Sequence, residues 1–269
     1  DPTGGVTISG TATEDEVLTA DTSTLADEDV LGALSYQWSR DGSPIDGATS
    51  STYTLEQADV GAAITVVVSY TDCQGTAESV TSDATSAVTN VNDEPTLDAL
   101  SDININEDDP EQTVNLTGIT ANGGEVQQLS VTAVSDNTSL IPDPTVTYSS
   151  ADSTGTLKFT PVADQFGTAT ITVTVEDGGL DNNLATPGDN GVINRTVVVN
   201  VAPINDEPTG NVTITGTPTE DEVLTADTST LADADVLGAL SYQWSRDGSP
   251  IDGATSDNYT LTQADVGAA

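Results

Sequence analysis

The 269-residue sequence has no methionine, no histidine and only four basic residues, against 44 acidic ones. Its formal charge of −40 argues against nucleic acid as a partner, because phosphate binding requires a basic surface. The same charge argues against an anionic membrane surface. No histidine is available and no nucleophile is paired with a base, so the sequence does not predict an enzyme.

Cysteine and long apolar runs are equally scarce. The single cysteine, Cys73, excludes an internal disulfide and is predicted to be a solvent-facing loop residue. No run of about 18 apolar residues is present, so no membrane insertion is predicted. There is no initiator methionine and no signal peptide, and we therefore expect an internal piece of a longer protein.

The residues that are abundant favour β-structure. Valine, isoleucine and threonine are frequent, whereas helix formers such as lysine, arginine and methionine are rare. Disorder is the competing interpretation of such a high charge, but the apolar residues are patterned into alternating runs. The sequence therefore predicts an all-β protein.

An internal repeat sets the domain boundaries. Residues 1–63 recur as residues 207–269 with differences at eight positions. The motif Val91–Thr96, which contains Asn-Asp-Glu-Pro, recurs as Ile204–Thr209, and its proline predicts an extended segment between domains. We predict three domains, at residues 1–91, 92–206 and 207–269, of which the last lacks its final two strands.

Short alternating runs separated by turns predict a β-sandwich in each complete domain. The runs predicted as strands in the first domain are Val6–Ile8, Val17–Thr22, Leu34–Trp38, Tyr53–Leu55, Ile64–Tyr70 and Thr76–Thr89. Those of the middle domain are Ile103–Ile105, Thr113–Leu116, Leu129–Val134, Thr145–Tyr148, Thr156–Phe159, Ala169–Val175 and Val192–Val201.

Two motif sets resemble known families. Tyr36–Gly42, Gly47–Thr49 and Tyr53–Leu55 resemble the bacterial Ig-like repeats of large surface adhesins, with Trp38 expected in the core. Gly155–Pro161 and Val173–Gly179 resemble bacterial cadherin-like repeats. The resemblance implies tandem seven-stranded Ig-like and cadherin-like β-sandwiches in an extended array, as in RTX adhesins, at the surface of a bacterial cell.

Acidic residues are predicted to converge at the two junctions, because alternate turns of a sandwich lie at the same end. The candidate ligands at the first junction are Glu14, Glu16, Asp59, Asn92, Asp93, Glu94 and Asp177, with Asp15 in the same turn as Glu14. Those at the second junction are Glu107, Asp108, Asp164, Asn205, Asp206, Glu207, Asp233 and Asp235. Ca²⁺ takes 6–8 oxygen ligands of these types, so the sequence predicts calcium sites.

The resemblance to cadherins implies the same arrangement, with two departures. Glu94 and Glu207 stand where cadherin linkers usually carry asparagine, and the segment Thr120–Glu125 has no clear Asp-x-Asp pair. The first junction is therefore expected to hold fewer ions than the second. The competing interpretation is that these acids only keep a secreted repeat soluble and block edge-to-edge pairing.

The functional expectation is a structural extender of an extracellular adhesin, rigidified by calcium between neighbouring repeats of the same chain. Its adhesive target would be bound by other domains. One alternative is a carbohydrate- or protein-binding cadherin-like module, although aromatic residues are only 4% of the sequence. Another is a self-assembling filament whose incomplete last domain is completed by a strand from a neighbour.

Overall fold

The computed structural model describes all 269 residues, and it contains strands, turns and two single-turn 3-10 helices. These helices are Gln57–Asp59 and Gln263–Asp265, at equivalent positions of the repeat. No helix is long and apolar enough to span a membrane. The all-β prediction is confirmed.

The first domain packs a three-stranded sheet, β2-β3-β7, against a four-stranded sheet, β6-β5-β8-β9. A further two-stranded sheet joins β1 to β4, so the domain has more strands than predicted because some pairings involve only two residues. In chain order the strands are β1 Pro2–Thr3, β2 Thr7–Ser9, β3 Val17–Asp21, β4 Ala26–Asp27, β5 Ser35–Arg40, β6 Ser43–Pro44, β7 Thr52–Thr54, β8 Ile64–Thr71 and β9 Ala77–Thr81.

The core of the first domain lies between its two larger sheets. Strand β8 alternates buried and half-buried residues, and Val66 and Val68 are fully buried beside Trp38 and Leu18. The indole Nε1 of Trp38 donates to the carbonyl of Ser50 at 2.9 Å, so this large side chain is buried with its polar group satisfied. The prediction that Trp38 is a core residue is confirmed, as is the exposure of Cys73.

The middle domain is a sandwich of one four-stranded and one three-stranded sheet. The larger sheet has the order β10-β16-β15-β12, with β10 parallel to β16, and the smaller has the order β11-β14-β13. Every strand predicted for this domain is present, with bounds shifted by no more than two residues. The strands are β10 Ile103–Asn106, β11 Gln112–Thr117, β12 Leu129–Ser135, β13 Thr145–Thr147, β14 Thr154–Phe159, β15 Gly167–Asp177 and β16 Val192–Ala202.

The third domain repeats the first 63 residues of the first domain. It contains a three-stranded sheet, β17-β18-β21, and a two-stranded sheet, β19-β20. Its strands are β17 Thr213–Thr215, β18 Val223–Asp227, β19 Ser245–Arg246, β20 Ser249–Pro250 and β21 Asn258–Thr260. Apolar side chains that belong to its sheets are partly exposed, as shown by Ile214 at 63%.

Each linker is anchored to the domain that follows it. Thr96 forms an antiparallel bridge with Thr120, and Thr209 forms the same bridge with Ala232. On the preceding side, the carbonyl of Thr89 accepts the N–H of Glu14, and the carbonyl of Ala202 accepts the N–H of Glu107. The acidic motif of each linker is therefore fixed to the preceding domain at one end and to the following domain at the other.

Candidate metal centres at the domain junctions

The second junction gathers carboxylates from the middle domain, the linker and the third domain. Glu107 directly follows β10, is only 2% exposed, and accepts the backbone N–H of Ile204 at 2.7 Å through Oε1. The N–H of Asp206 donates to Oδ2 of Asp235 at 2.6 Å. These two contacts fix the linker against the domain on either side of it.

Asp206 belongs to two groups of carboxylates at once. One oxygen from each of Glu107, Asp206 and Asp235 lies within 4.8 Å of the others. The same holds for Asp108, Asp164 and Asp206. The pKa of Asp206 is raised, first because the group is desolvated and then because these four neighbouring carboxylates disfavour its charged form.

The oxygen Oδ2 of Asp206 is buried and has no hydrogen-bond partner. A buried carboxylate oxygen without a donor is costly, and like-charged neighbours increase that cost. Protein cations do not compensate it, because three of the four basic side chains pair with Asp59, Glu111 and Asp265, and Arg195 donates to the carbonyl of Leu97. A divalent cation with oxygen ligands fits this donor set.

The other candidates at the second junction have supporting or peripheral positions. Oδ1 of Asp233 accepts the N–H of Asp235 at 2.9 Å, which shapes the turn that presents Asp235. The side-chain amide of Asn205 donates to the carbonyl of Asp206 at 2.8 Å. Glu207 is exposed and lies outside both carboxylate groups. The structure thus brings together five of the eight predicted residues.

The first junction has a similar framework. Glu14, 3% exposed, accepts the N–H of Val91 at 3.2 Å, and the N–H of Asp93 donates to Glu125 at 3.1 Å. Burial raises the pKa of Glu14 and of Asp93, and Asp15 contributes to both shifts by repulsion. Gly123, at φ +52°, lies against the side chain of Asp93. A Cβ at position 123 would be 1.7 Å from Oδ2 of Asp93.

Amide groups occupy much of the first junction. The side-chain nitrogen of Asn92 donates to both oxygens of Asp177, at 3.2 and 3.4 Å. Asp177 is fully buried and also accepts the N–H groups of Gly179 and Gly191, at 2.9 and 2.8 Å. Asp177 therefore has its charge satisfied by hydrogen-bond donors, as buried carboxylates require.

Asp59 has a different position from the one expected for a metal ligand. It is fully buried, and it forms an ion pair with Arg40 at 2.7 Å while accepting the hydroxyl of Tyr53 and the N–H of Glu56. Both of its oxygens are thereby used within the first domain, so its placement among the junction ligands needs correction. Glu16 and Glu94 are exposed and also lie outside the carboxylate groups.

Two contributors to the first junction were missed at the sequence level, Glu125 and Gln127. The spacing Glu125-Val126-Gln127 equals that of Asp233-Ala234-Asp235, which is the signal that could have revealed them. A third carboxylate group, Asp27, Asp29 and Asp72, lies at the opposite end of the first domain. Asp27 and Asp29, the equivalents of Asp233 and Asp235 in the repeat, lie there beside Asp72, which follows β8.

Comparisons with known proteins give only distant similarities. No family model and no curated protein matches the chain. The chain is similar to domains 4 and 5 of the S-layer protein SbsC, at 18% identity over 70% of this chain and 82% of that one, with a TM-score of 0.30. For domains 4–9 of the surface layer protein SbsC the identity is 16%, the coverage 96% and 43%, and the TM-score 0.31.

A third similar structure is the EC22-24 fragment of mouse cadherin-23. It is 14% identical over 85% of this chain and 73% of that one, with a TM-score of 0.37. This chain spans less than half of the longer SbsC fragment. At this level of similarity no function is transferred to this chain.

Proposed function

We propose that this chain is an extender segment of a secreted or cell-surface repeat protein, whose second junction is stiffened by calcium. The observation that carries this proposal is the buried, partnerless Oδ2 of Asp206, which stands between two carboxylate groups in a chain with only four basic residues. Calcium would supply the positive charge and the coordination that this oxygen lacks.

The residues that would hold calcium are Glu107, Asp108, Asp164, Asp206 and Asp235. Asp206 is common to both carboxylate groups, so two ions would share it. These ligands come from the middle domain, the linker and the third domain, so ion binding would couple the three. A hinge with three independent parts would thereby become a rigid connection.

The calcium affinity of such sites fits an extracellular location. Extracellular calcium modules bind at ~10⁻⁴–10⁻³ M, so such sites fill at millimolar calcium and empty in a cytosol. One site at ten times its Kd adds about 1.4 kcal/mol to the folded arrangement. Each rigid sandwich would extend the array by roughly 36 Å, since eleven-residue strands such as β15 rise ~3.3 Å per residue. We place the parent protein at a bacterial surface, as an adhesin.

The test compares Asp206→Asn with Glu207→Gln in the whole chain, because both remove one charge at adjacent linker positions. Calcium binding is measured by titration calorimetry, and the maximum dimension by small-angle scattering with calcium and with a chelator. We expect wild type and Glu207→Gln to bind calcium and become longer, and Asp206→Asn to lose most of both responses.

A wild-type chain whose dimensions are the same with calcium and with chelator would contradict the proposal. So would an Asp206→Asn variant that responds like Glu207→Gln. Circular dichroism of both variants establishes that their sheets are intact, so that a lost response is attributed to the junction.

A further inference from the structure

The two junctions are built on one plan, which allows their residues to be compared position by position. Glu14 and Glu107 each accept a linker N–H, from Val91 and Ile204. Asp15 and Asp108, which follow them, both have left-handed backbone conformations, at φ 64° and 62°. In the linkers, the N–H groups of Asp93 and Asp206 donate to carboxylates of the next domain, Glu125 and Asp235.

The first difference concerns the acid of the turn before the long central strand. Asp59 precedes β8 in the first domain, and Asp164 precedes β15 in the middle domain, each after an alanine. Asp59 is paired with Arg40 at 2.7 Å. Asp164 has no basic partner and lies in the carboxylate group with Asp108 and Asp206. Arg40 therefore withdraws one potential ligand from the first junction.

The second difference is a chain of amides that crosses the first junction. Gln57 of the first domain donates to the side-chain oxygen of Asn90 at 3.0 Å, and Asn90 donates to Oε1 of Glu125 at 2.9 Å. The nitrogen of Gln127 donates to Oε2 of Glu125 at 2.9 Å and to the oxygen of Asn92 at 2.7 Å. Together with the contact from Asn92 to Asp177, these bonds link both domains through the linker.

The second junction has no such chain. The linker position of Asn90 is occupied there by Pro203, which has no side-chain donor, and the position of Gln57 in the turn is occupied by Val162. The position of Gln127, whose nitrogen lies between two oxygens, is occupied there by the carboxylate of Asp235. The side-chain nitrogen of Gln127 thus gives both oxygens a hydrogen-bond donor, as buried polar groups require.

We propose that the first junction is held by this amide chain and keeps its geometry without calcium, whereas the second junction requires calcium. Gln127 and Asn90 are the residues that hold the first junction, and Arg40 removes the ligand that a metal centre there would need. The contrast between the junctions rests on the proposed function, but the state of the first junction is measured separately. The first junction would then keep its geometry with or without calcium, and the second would keep it only with calcium bound.

Distances measured by pulsed electron spin resonance on the whole chain test this proposal. For the first junction, spin labels are placed at native Cys73 and at Thr132→Cys, both exposed. For the second, they are placed at Thr132→Cys and at Thr225→Cys on β18, with Cys73→Ser. We expect chelation to broaden the distribution between positions 132 and 225 and to leave that between positions 73 and 132 unchanged.

Variants of the amide chain sharpen the test. In chelator, Gln127→Ala and Asn90→Ala should each broaden the distribution between positions 73 and 132, while Gln128→Ala, at the exposed neighbouring position, should not. The buried amide oxygens of Gln57 and Gln127 have no partner in the protein. If these two oxygens bind a cation, chelation alone will broaden the wild-type distance distribution across the first junction. That result would overturn the proposal.

The proposal is also overturned if Gln127→Ala and Asn90→Ala, with circular dichroism showing that their sheets are intact, leave the first-junction distribution as narrow as in wild type. If chelation leaves the distance distribution across the second junction unchanged, the proposed function is contradicted. The result at the first junction can still be interpreted, because it is measured with a different pair of labels.

Discussion

The first and third domains share nearly the same sequence over 63 residues, yet equivalent side chains are buried to different extents. Trp38 and Leu18 are fully buried, whereas Trp244 is 9% exposed and Leu224 is half-buried. In the first domain, β8 and β9 complete the larger sheet, and Val66 and Val68 of β8 pack into the core. The difference teaches that burial at these positions depends on strands supplied from outside the 63 residues.

Short-range contacts, by contrast, are the same in both copies. The indole of Trp38 stacks on Tyr53 at 5.9 Å, and that of Trp244 on Tyr259 at 5.7 Å. Each indole nitrogen donates to a serine carbonyl twelve residues later at 2.9 Å. The pair of Arg40 with Asp59 has its counterpart in Arg246 with Asp265. These contacts form without a closed core.

Removing the tryptophan should give the largest difference in stability change between the first and the third domain. We expect Trp38→Ala to lower the free energy of unfolding of the first domain by about 3–5 kcal/mol, because it leaves a cavity in a closed core. Trp244→Ala should cost its domain less, since the surrounding side chains are already partly exposed. Hydrogen exchange resolved by domain measures both values. Equal losses in the two domains would show that the third core is as closed as the first.

Removing the arginine that pairs with the buried aspartate should give the next largest difference in stability change between the two domains. Arg40→Ala leaves the fully buried Asp59 without its cation, although Tyr53 and the N–H of Glu56 still donate to it, and should cost about 1–3 kcal/mol. Arg246→Ala should cost less, because the side chain of Asp265 is 9% exposed and water can reach it. The same exchange experiment measures this pair. A larger loss for Arg246→Ala would contradict the ranking.

The smallest expected effect is on the titration of Asp27. Its pKa is lowered to about 2, first by the N–H of Asp29 and then by the hydroxyl of Tyr70, which donates to it at 2.8 Å. A lowered pKa means that Asp27 stabilises the fold above its unfolded value near 3.9, and that this contribution is lost as pH falls towards 2. Tyr70→Phe should raise the pKa of Asp27.

Carboxyl carbon resonances followed by NMR check this last prediction. An unchanged Asp27 titration in the variant would mean that the Asp29 N–H alone sets its pKa.

Much of the fold could be read from the sequence, since strand pattern and turns are local properties. The runs that gave β8 and β15 alternate along their whole length, and both strands lie where expected. The short pairings of β1 with β4 and of β5 with β6 were not predicted, because two-residue strands leave no periodic signal. The domain boundaries and the calcium itself remain predictions.

The candidate site was only partly predictable. Glu107, Asp108, Asp164, Asp206 and Asp235 were predicted together and lie together. Asp59 was predicted on the same grounds as Asp164 and failed because Arg40, on β5, reaches it across the sheet. Glu125 and Gln127 were overlooked because glutamate and glutamine replace the aspartates of the expected pair.

The sequence by itself determined the all-β class, the positions of the longer strands and the repeat. The first two depend on alternation along short runs, and the repeat depends on identity between two segments of the chain. Only the tertiary structure decided which acids share a site and which are neutralised by an amide or a guanidinium. Glu107, Asp206 and Asp235 are far apart in the chain, and their repulsion depends on separations of a few ångströms, which no local pattern encodes.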